Sequence, residues 1–214
     1  MIDTEFLISV YNAMYAAAGA RGWWPGRTRF EVVVGAILTQ NTAWGNVEKA
    51  IRNLRGAGVL SPRAMVRLTE EELAELIRPS GYYRVKARRL MNFMRLLDEK
   101  YGCSLDRLFR LDVPQLRQVL LGVSGIGKET ADSIILYAAG KPIFVVDAYT
   151  RRIFARHRWC SENASYDELQ ELFMSHLLHD VPIFNEYHAL LVYVGKHFCG
   201  TRSPRCTECP LKDF

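Results

Sequence analysis

The chain has 214 residues, of which 49% are apolar and 24% are charged, and its formal net charge is +5. This length and composition predict a globular protein of one or two compact lobes and exclude a disordered chain. No apolar run reaches the length of a membrane span, and the acidic first residues lack the apolar core of an export signal, so we expect a cytoplasmic protein without a membrane partner. The positive charge is compatible with a polyanionic partner.

Apolar residues recur with helical spacing along almost the whole sequence. The predicted helices cover residues 5–18, 29–39, 44–56, 61–67, 70–77, 83–101, 113–119, 129–139, 148–156, 165–178 and 183–197. Thr69 resembles a capped helix start, and Ser165 with Glu168 has the spacing of a capping box. Short Gly, Pro and Ser segments separate the helices, and no strand-like alternation recurs. The sequence therefore predicts an all-α fold.

A pair of glycines precedes the helix predicted over residues 129–139. Gly125 and Gly127 flank Ile126, so the backbone there can turn sharply and present its amides. Together with the helix N-terminus, these amides would form a site for a phosphate. A tight turn with a purely structural purpose is the alternative.

Asp147 is the second notable feature of this region. It follows the apolar residues 143–146 and precedes the helix predicted over 148–156. Aspartate is a preferred residue for capping a helix N-terminus, and such a cap contributes about 1 kcal/mol. A functional carboxylate at the same place is the other interpretation.

Three cysteines are crowded near the end of the sequence. Six residues separate Cys199 from Cys206, and two separate Cys206 from Cys209. Two thiolates at the shorter spacing can bind one metal centre, and the third thiol nearby strengthens the indication of a metal site. The spacing alone does not distinguish zinc from iron. Cys103 and Cys160 stand apart, and we expect free thiols there.

Residues 121–147 resemble the signature of the endonuclease III superfamily of DNA glycosylases. That signature consists of a helix-hairpin-helix, a Gly/Pro-rich loop, here Gly140 to Pro142, and an aspartate, here Asp147. The resemblance continues through residues 38–42, through 81–87 and into the terminal cysteines. It covers the chain from about residue 30 to Phe214.

This resemblance implies an organisation in two helical lobes. The inner lobe would comprise residues 24–137 and carry the hairpin. The second lobe would combine residues 1–23 with 138–214, carry Asp147 and end in a cysteine-rich iron–sulfur loop over 199–214. The hairpin and Asp147 would lie at the cleft between the lobes. The family also implies a monomer, associated with the nucleoid, that binds double-stranded DNA containing a damaged base.

The resemblance places Asp147 at the sugar of the damaged nucleotide. Cleavage of the N-glycosidic bond builds positive charge on the deoxyribose, which an ionised carboxylate stabilises, and the same carboxylate can orient or deprotonate water. Family members that also cut the strand carry a nucleophilic lysine eighteen residues before the aspartate, where this chain has Glu129. Lys128 is displaced from that position by about 100° around the helix, so we expect it to contact a phosphate. Glu129 would position water or favour the helix N-terminus electrostatically.

Tryptophans suggest the kind of base that is bound. Trp23, Trp24 and Pro25, followed by Trp44, resemble the 3-methyladenine-DNA glycosylase III branch of the superfamily. A methylated purine carries positive charge, and a slot of aromatic rings would bind it by stacking and cation–π attraction of about 1–2 kcal/mol. We expect Trp24 and Trp44 to form the slot walls and Trp23 and Pro25 to shape them. Packing in the core is the alternative for each ring.

A base must leave the stack before it can be excised, at a cost of a few kcal/mol. The resemblance assigns a wedge role to Gln40 and an intercalating role to Tyr82. Lys86 and the amides around Gly125 and Gly127 would hold phosphates, with a monovalent cation between the hairpin and the DNA.

The cysteine spacing resembles the family's iron–sulfur loop, Cys-x6-Cys-x2-Cys-x5-Cys, and so implies a [4Fe–4S] cluster. The fourth cysteine would be the residue after Phe214, where the given sequence ends. A shortened chain, a cluster with an external fourth ligand, and an empty loop are the three interpretations left open.

The sequence as a whole predicts a monofunctional DNA glycosylase of base excision repair, which hydrolyses the bond to a flipped alkylated purine such as 3-methyladenine. Two alternatives stay open. One is a bifunctional glycosylase and AP lyase, like endonuclease III, that acts on oxidised pyrimidines. The other is a non-catalytic DNA-binding module that recognises DNA structure.

Overall fold

The computed structural model describes residues 2–22 and 26–214. Helices account for its regular structure, and no strand occurs among the described residues, which confirms the all-α prediction. In chain order the helices are α1 (Thr4–Ala18), α2 (Arg29–Leu38), α3 (Trp44–Gly56), α4 (Pro62–Met65), α5 (Glu70–Leu76), α6 (Tyr83–Tyr101), α7 (Leu105–Leu108), α8 (Val113–Leu121), α9 (Lys128–Ser133), α10 (Ala148–Arg156), α11 (Tyr166–His176) and α12 (Val181–His197).

The chain divides into two compact units. The inner unit is Pro25–Lys141, and the split unit combines Met1–Trp24 with Pro142–Phe214. The boundary between the two lobes that the sequence predicts, after residue 137, lies inside a π-helical turn, Ile134–Ala138, which continues α9. Across the described residues, none of the helices is both long and apolar enough to span a membrane.

Local capping explains where several helices begin. The capping box predicted at Ser165 is present, since Ser165 and Glu168 exchange hydrogen bonds at the start of α11. The capped start predicted at Thr69 is also a capping box, in which Thr69 and Glu72 exchange hydrogen bonds at the start of α5. Each box satisfies two backbone N–H groups that the first turn of the helix would leave without an acceptor. The short helix α7, capped by Ser104, was not predicted, because four residues are too few to show a helical period.

The core of the inner unit is built around α2. Every residue from Phe30 to Leu38 is buried, and the helix packs against α3, α6, α9 and the π-helical turn. A helix that is buried on all sides must be surrounded by other elements of its own unit. This central position matters for the site, since the loop that follows α2 carries Gln40 and Thr42.

Aromatic rings form the core of the split unit. Phe144 stacks on Phe173 with ring centroids 3.7 Å apart, and Tyr187 meets both rings edge-on. Burial of each such ring stabilises the fold by about 1.5–3 kcal/mol. Phe144 lies three residues before Asp147, so the packed rings hold the segment that leads into α10.

Candidate active site

The hairpin between α8 and α9 has the backbone that the sequence predicted. Gly125 has a φ of +94° in the left-handed region, and a Cβ atom at this position would collide with the side chain of Arg89. Gly127 is the N-cap of α9, has an extended backbone, and provides no side-chain cap. The backbone conformation and the close approach of Arg89 thus both require glycine at position 125.

Gln40 stabilises this hairpin through side-chain hydrogen bonds. Its Nε2 atom donates to the carbonyl of Gly125 at 3.1 Å and to Oγ1 of Thr130 at 2.9 Å. Its Oε1 atom accepts a hydrogen bond from Nη1 of Arg89. A wedge role for Gln40 stays a prediction, and insertion into DNA would require these three hydrogen bonds to break.

Lys86 does not face a phosphate, and the prediction that it does is wrong. The residue is 1% exposed. Its Nζ atom donates to the carbonyl of Leu38 at 2.8 Å, to Oγ1 of Thr42 at 2.7 Å and to the carbonyl of Ser80 at 2.6 Å. Burial, assisted by repulsion from Arg89, lowers the pKa of Lys86 to about 8. Three acceptors use all three ammonium donors, so the side chain ties two loops together inside the inner unit.

One of these loops presents Tyr82 to the solvent. Tyr82 is 74% exposed, and its φ of 46° places it in the left-handed region at the N-cap of α6. This conformation costs a non-glycine residue about 1–2 kcal/mol, so the surrounding structure must hold it in place. The hydrogen bond from Thr42 to the carbonyl of Ser80 (2.5 Å) and the Lys86 contacts provide that support. An exposed ring on a fixed backbone is what an intercalating side chain needs. The intercalating role of Tyr82 stays a prediction.

Trp44 is the first residue of α3 and is half-buried. Its Nε1 atom donates to Oε1 of Glu48 at 2.9 Å. Close by, Arg55 holds the buried carboxylate of Glu31 through two contacts of 2.9 Å. Trp44 shares a cavity of about 220 Å³ with charged side chains and one isoleucine, namely Arg27, Glu31, Glu48, Ile51, Arg52 and Arg55. The three other predicted pocket residues, Trp23, Trp24 and Pro25, lie outside the described residues, so the aromatic slot stays a prediction.

Asp147 is the N-cap of α10 and is nearly buried. Its Oδ1 atom accepts hydrogen bonds from the backbone N–H of Thr150 at 2.8 Å and from Oγ1 of Thr150 at 3.0 Å. Its Oδ2 atom lies 3.6 Å from Nε2 of His188, and 12% of the Asp147 side chain remains exposed. The capping interpretation is therefore correct, and it leaves one carboxylate oxygen for another task.

The environment of Asp147 favours its ionised form. Burial by itself raises the pKa of this carboxyl, but the His188 imidazole and the two hydrogen bonds from Thr150 outweigh burial and hold the pKa below its ordinary value. A carboxylate that is kept ionised in a low-dielectric setting interacts strongly with nearby positive charge. This is the electrostatic property that a developing sugar cation requires.

Lys128 and Glu129 occupy the first turn of α9, and both are exposed. The helix begins at Lys128, so the two side chains leave adjacent positions of one helical turn and diverge by about 100°. The roles predicted for them, a phosphate contact and a water-positioning group, stay predictions.

The three terminal cysteines line one cavity of the split unit, with a volume of about 190 Å³. Cys199 and Cys209 are buried and Cys206 is exposed. Nη1 of Arg156 donates to Sγ of Cys199 at 3.1 Å. Burial raises the pKa of the Cys209 thiol, and the other two cysteines add to this effect. Within the described part of the chain, no three His, Cys, Asp or Glu side chains converge closely enough to bind a single metal ion.

Sequence reasoning missed several residues that hold these sites together. His188 and Thr150 fix the Asp147 carboxylate, and Arg89 fixes Gln40. Thr150 could have been found, since a residue three positions after an N-cap is its usual partner. His188 lies 41 positions after Asp147 on a helix that also carries Asn185, Glu186, Lys196 and His197, and nothing in the local pattern marks it.

A helical fold with a glycine hairpin, followed by a Gly/Pro segment and a nearly buried capping aspartate, defines the helix-hairpin-helix class of DNA glycosylases. The chain belongs to the HhH-GPD superfamily of base excision DNA repair proteins, whose family model matches residues 34–177. It is therefore a DNA glycosylase of base excision repair.

Relatives and solved structures agree with this assignment. A Methanocaldococcus jannaschii protein, named as a candidate DNA repair glycosylase, is 46% identical over 98% of this chain and 96% of its own length. Endonuclease III of Thermotoga maritima is 31% identical over 86% of this chain and 81% of its own. The 3-methyladenine DNA glycosylase MagIII of H. pylori, solved with 1,N6-ethenoadenine, superposes with a TM-score of 0.79 at 28% identity, covering 91% of this chain and 98% of MagIII.

Proposed function

We propose that this glycosylase is monofunctional and hydrolyses the N-glycosidic bond of a flipped, alkylated purine such as 3-methyladenine in double-stranded DNA. The observation that carries the proposal is Glu129 at the position of the family's nucleophilic lysine. A carboxylate cannot form a Schiff base with the sugar, so water must attack. The water oxygen bonds to the sugar carbon as the bond from that carbon to the base breaks, and the surplus proton passes to Asp147 or to solvent.

The chemistry of an alkylated purine suits a site with one ionised carboxylate. A base that already carries positive charge is a good leaving group and needs no strong general acid. What remains to be stabilised is the cationic sugar, and the low pKa of Asp147 keeps a negative charge available for it. MagIII, a 3-methyladenine DNA glycosylase, is also a structural neighbour over almost its whole length.

A bifunctional activity like that of endonuclease III is the second candidate. It is favoured by the Thermotoga maritima relative and by the complex of endonuclease III with DNA, which superposes with a TM-score of 0.83 at 25% identity. In that case a lysine would have to attack the sugar, and Lys128 is the nearest one to the required position.

Several details of DNA binding belong to the same proposal. The hairpin amides at Gly125 and Gly127, with Lys128 and a monovalent cation, would hold phosphates, and Tyr82 would fill the space left by the flipped base. We further propose that the enzyme acts as a monomer at the nucleoid in the cytoplasm.

We also propose that Cys199, Cys206 and Cys209 hold a [4Fe–4S] cluster. The residues present fit this group, because the three thiols surround a common cavity instead of meeting at one point, as the ligands of a polynuclear cluster do. Arg156 would donate to the Cys199 sulfur. The cluster would stabilise the fold of the terminal loop, and no step of the hydrolysis passes through it.

An excision screen tests the proposed activity. Wild-type protein is incubated with duplexes that each carry one methylated, deaminated or oxidised base, and abasic sites are revealed by alkali. We expect release of alkylated purines, with no adduct when borohydride is added to protein on abasic DNA. A lysine-linked adduct would overturn the monofunctional assignment, and it should then disappear in Lys128→Met. Asp147→Asn is the matched control, since it keeps the cap and removes the charge.

A further inference from the structure

His188 is a buried histidine that the proposed hydrolysis does not yet use. It lies on α12, is 4% exposed, and directs Nε2 toward Oδ2 of Asp147 at 3.6 Å. The helices α10 and α12 pack closely against each other, so this distance is set by the core of the split unit and not by a flexible loop.

The two oxygens of Asp147 have different partners. Thr150 occupies Oδ1 with two hydrogen bonds, which is ordinary N-capping and needs no histidine. Oδ2 is the oxygen that lies 3.6 Å from Nε2 of His188. A helix cap can be satisfied by a neutral side chain such as serine or asparagine, whereas catalysis of a cationic transition state needs a carboxylate that is charged and held in one orientation.

We propose that His188 is a positioning residue for catalysis: its imidazole fixes the free oxygen of Asp147 and keeps this nearly buried carboxylate ionised and aimed for the sugar. The proposal rests on the role of Asp147 in the proposed function. A histidine can do this in either charge state, because its Nε2–H donates in the cation and in one neutral tautomer.

Other groups near the carboxylate act more weakly. On α10 itself, burial raises the pKa of Tyr149, and the negative charge of Asp147 adds to that rise. Arg152 lies over the Tyr149 ring at 5.0 Å from its centroid. From α12, His188 lies against the carboxylate. A purely structural alternative is that the Asp147–His188 pair only joins α10 to α12.

The experiment compares His188→Leu with His188→Gln, whose side-chain amide retains an N–H donor. His197→Leu is the control, because His197 lies on the same helix and is exposed. Carbon-13 NMR titration follows the Asp147 carboxyl, identified by its absence in Asp147→Asn. Single-turnover excision is measured from pH 4 to 9 on a duplex that the wild type cleaves, with duplex affinity measured in parallel.

In His188→Leu we expect the pKa of Asp147 to rise and the acid limb of the rate profile to move with it, so that the rate falls about tenfold per pH unit below the new pKa. Duplex affinity should stay unchanged, and His188→Gln should recover most of the rate. An unchanged Asp147 titration in His188→Leu would overturn the proposal. So would a shifted titration with an unchanged rate profile, which would leave a structural link only. If the wild type excises no base, the proposed function fails and the NMR titration alone still decides whether His188 controls this carboxyl.

Discussion

Replacing Lys86 by methionine tests the most unexpected feature of the inner unit. The substitution keeps an unbranched apolar stem and removes the ammonium that holds Leu38, Thr42 and Ser80. Two effects oppose each other. Each hydrogen bond from a charged donor contributes about 1.5–3 kcal/mol, while the lowering of the pKa from 10.5 to about 8 corresponds to a burial cost of about 3 kcal/mol.

The hydrogen bonds outweigh the burial cost, because there are three of them. We expect Lys86→Met to lower the free energy of unfolding by about 3 kcal/mol, in the range for breaking a buried charge interaction. For a chain of this size the melting temperature should fall by about 10 °C. Thermal and guanidinium unfolding, followed by circular dichroism, measure both quantities. Lys100→Met on the same helix is the control, since Lys100 is exposed.

The contribution of Lys86 to the stability of the protein also depends on pH. Between pH 8 and 10.5 the unfolded chain keeps a proton on this lysine that the native chain has lost, so wild-type stability gains from this group as the pH rises through that window. The methionine variant lacks this gain. A variant as stable as the wild type at neutral pH, or more stable, would show that the three contacts do not compensate for burying the ammonium.

Three further substitutions probe the remaining parts of the site. Gly125 has a φ of +94° and lies against Arg89, so Gly125→Ala should lower the free energy of unfolding by about 1–3 kcal/mol. The same substitution should weaken DNA binding at least tenfold, and an unchanged affinity in a titration of duplex into protein would contradict the role of the hairpin. Asp147→Asn should keep the helix cap and melt somewhat below the wild type at neutral pH, because it lacks the carboxylate that His188 and Thr150 stabilise. It should lose excision, and it should lack the wild type's loss of stability as the pH falls through the lowered pKa of Asp147. Cys209→Ser should abolish the brown iron–sulfur absorption of anaerobically purified protein, and equal iron content in variant and wild type would exclude this ligand.

Local patterns in the sequence determined much of this structure. The capping boxes at Thr69 and Ser165 and the N-cap at Asp147 depend on residues three positions apart, and the turn at Gly125 depends on the backbone freedom of glycine at a φ of +94°. The same locality accounts for the helix boundaries, most of which fall within a few residues of the prediction.

Only the tertiary structure decided what the long polar side chains contact. Lys86 lies in a basic stretch and was expected at a phosphate, yet its side chain points into the core. The end of α2, the loop that follows α2 and the segment before Tyr82 each bring one oxygen to its ammonium group. Gln40 braces the hairpin and His188 faces Asp147 for the same reason. A flexible side chain takes the partners that the fold places within hydrogen-bond reach, and most of these partners, such as Leu38 for Lys86 and Gly125 for Gln40, are tens of residues away along the chain.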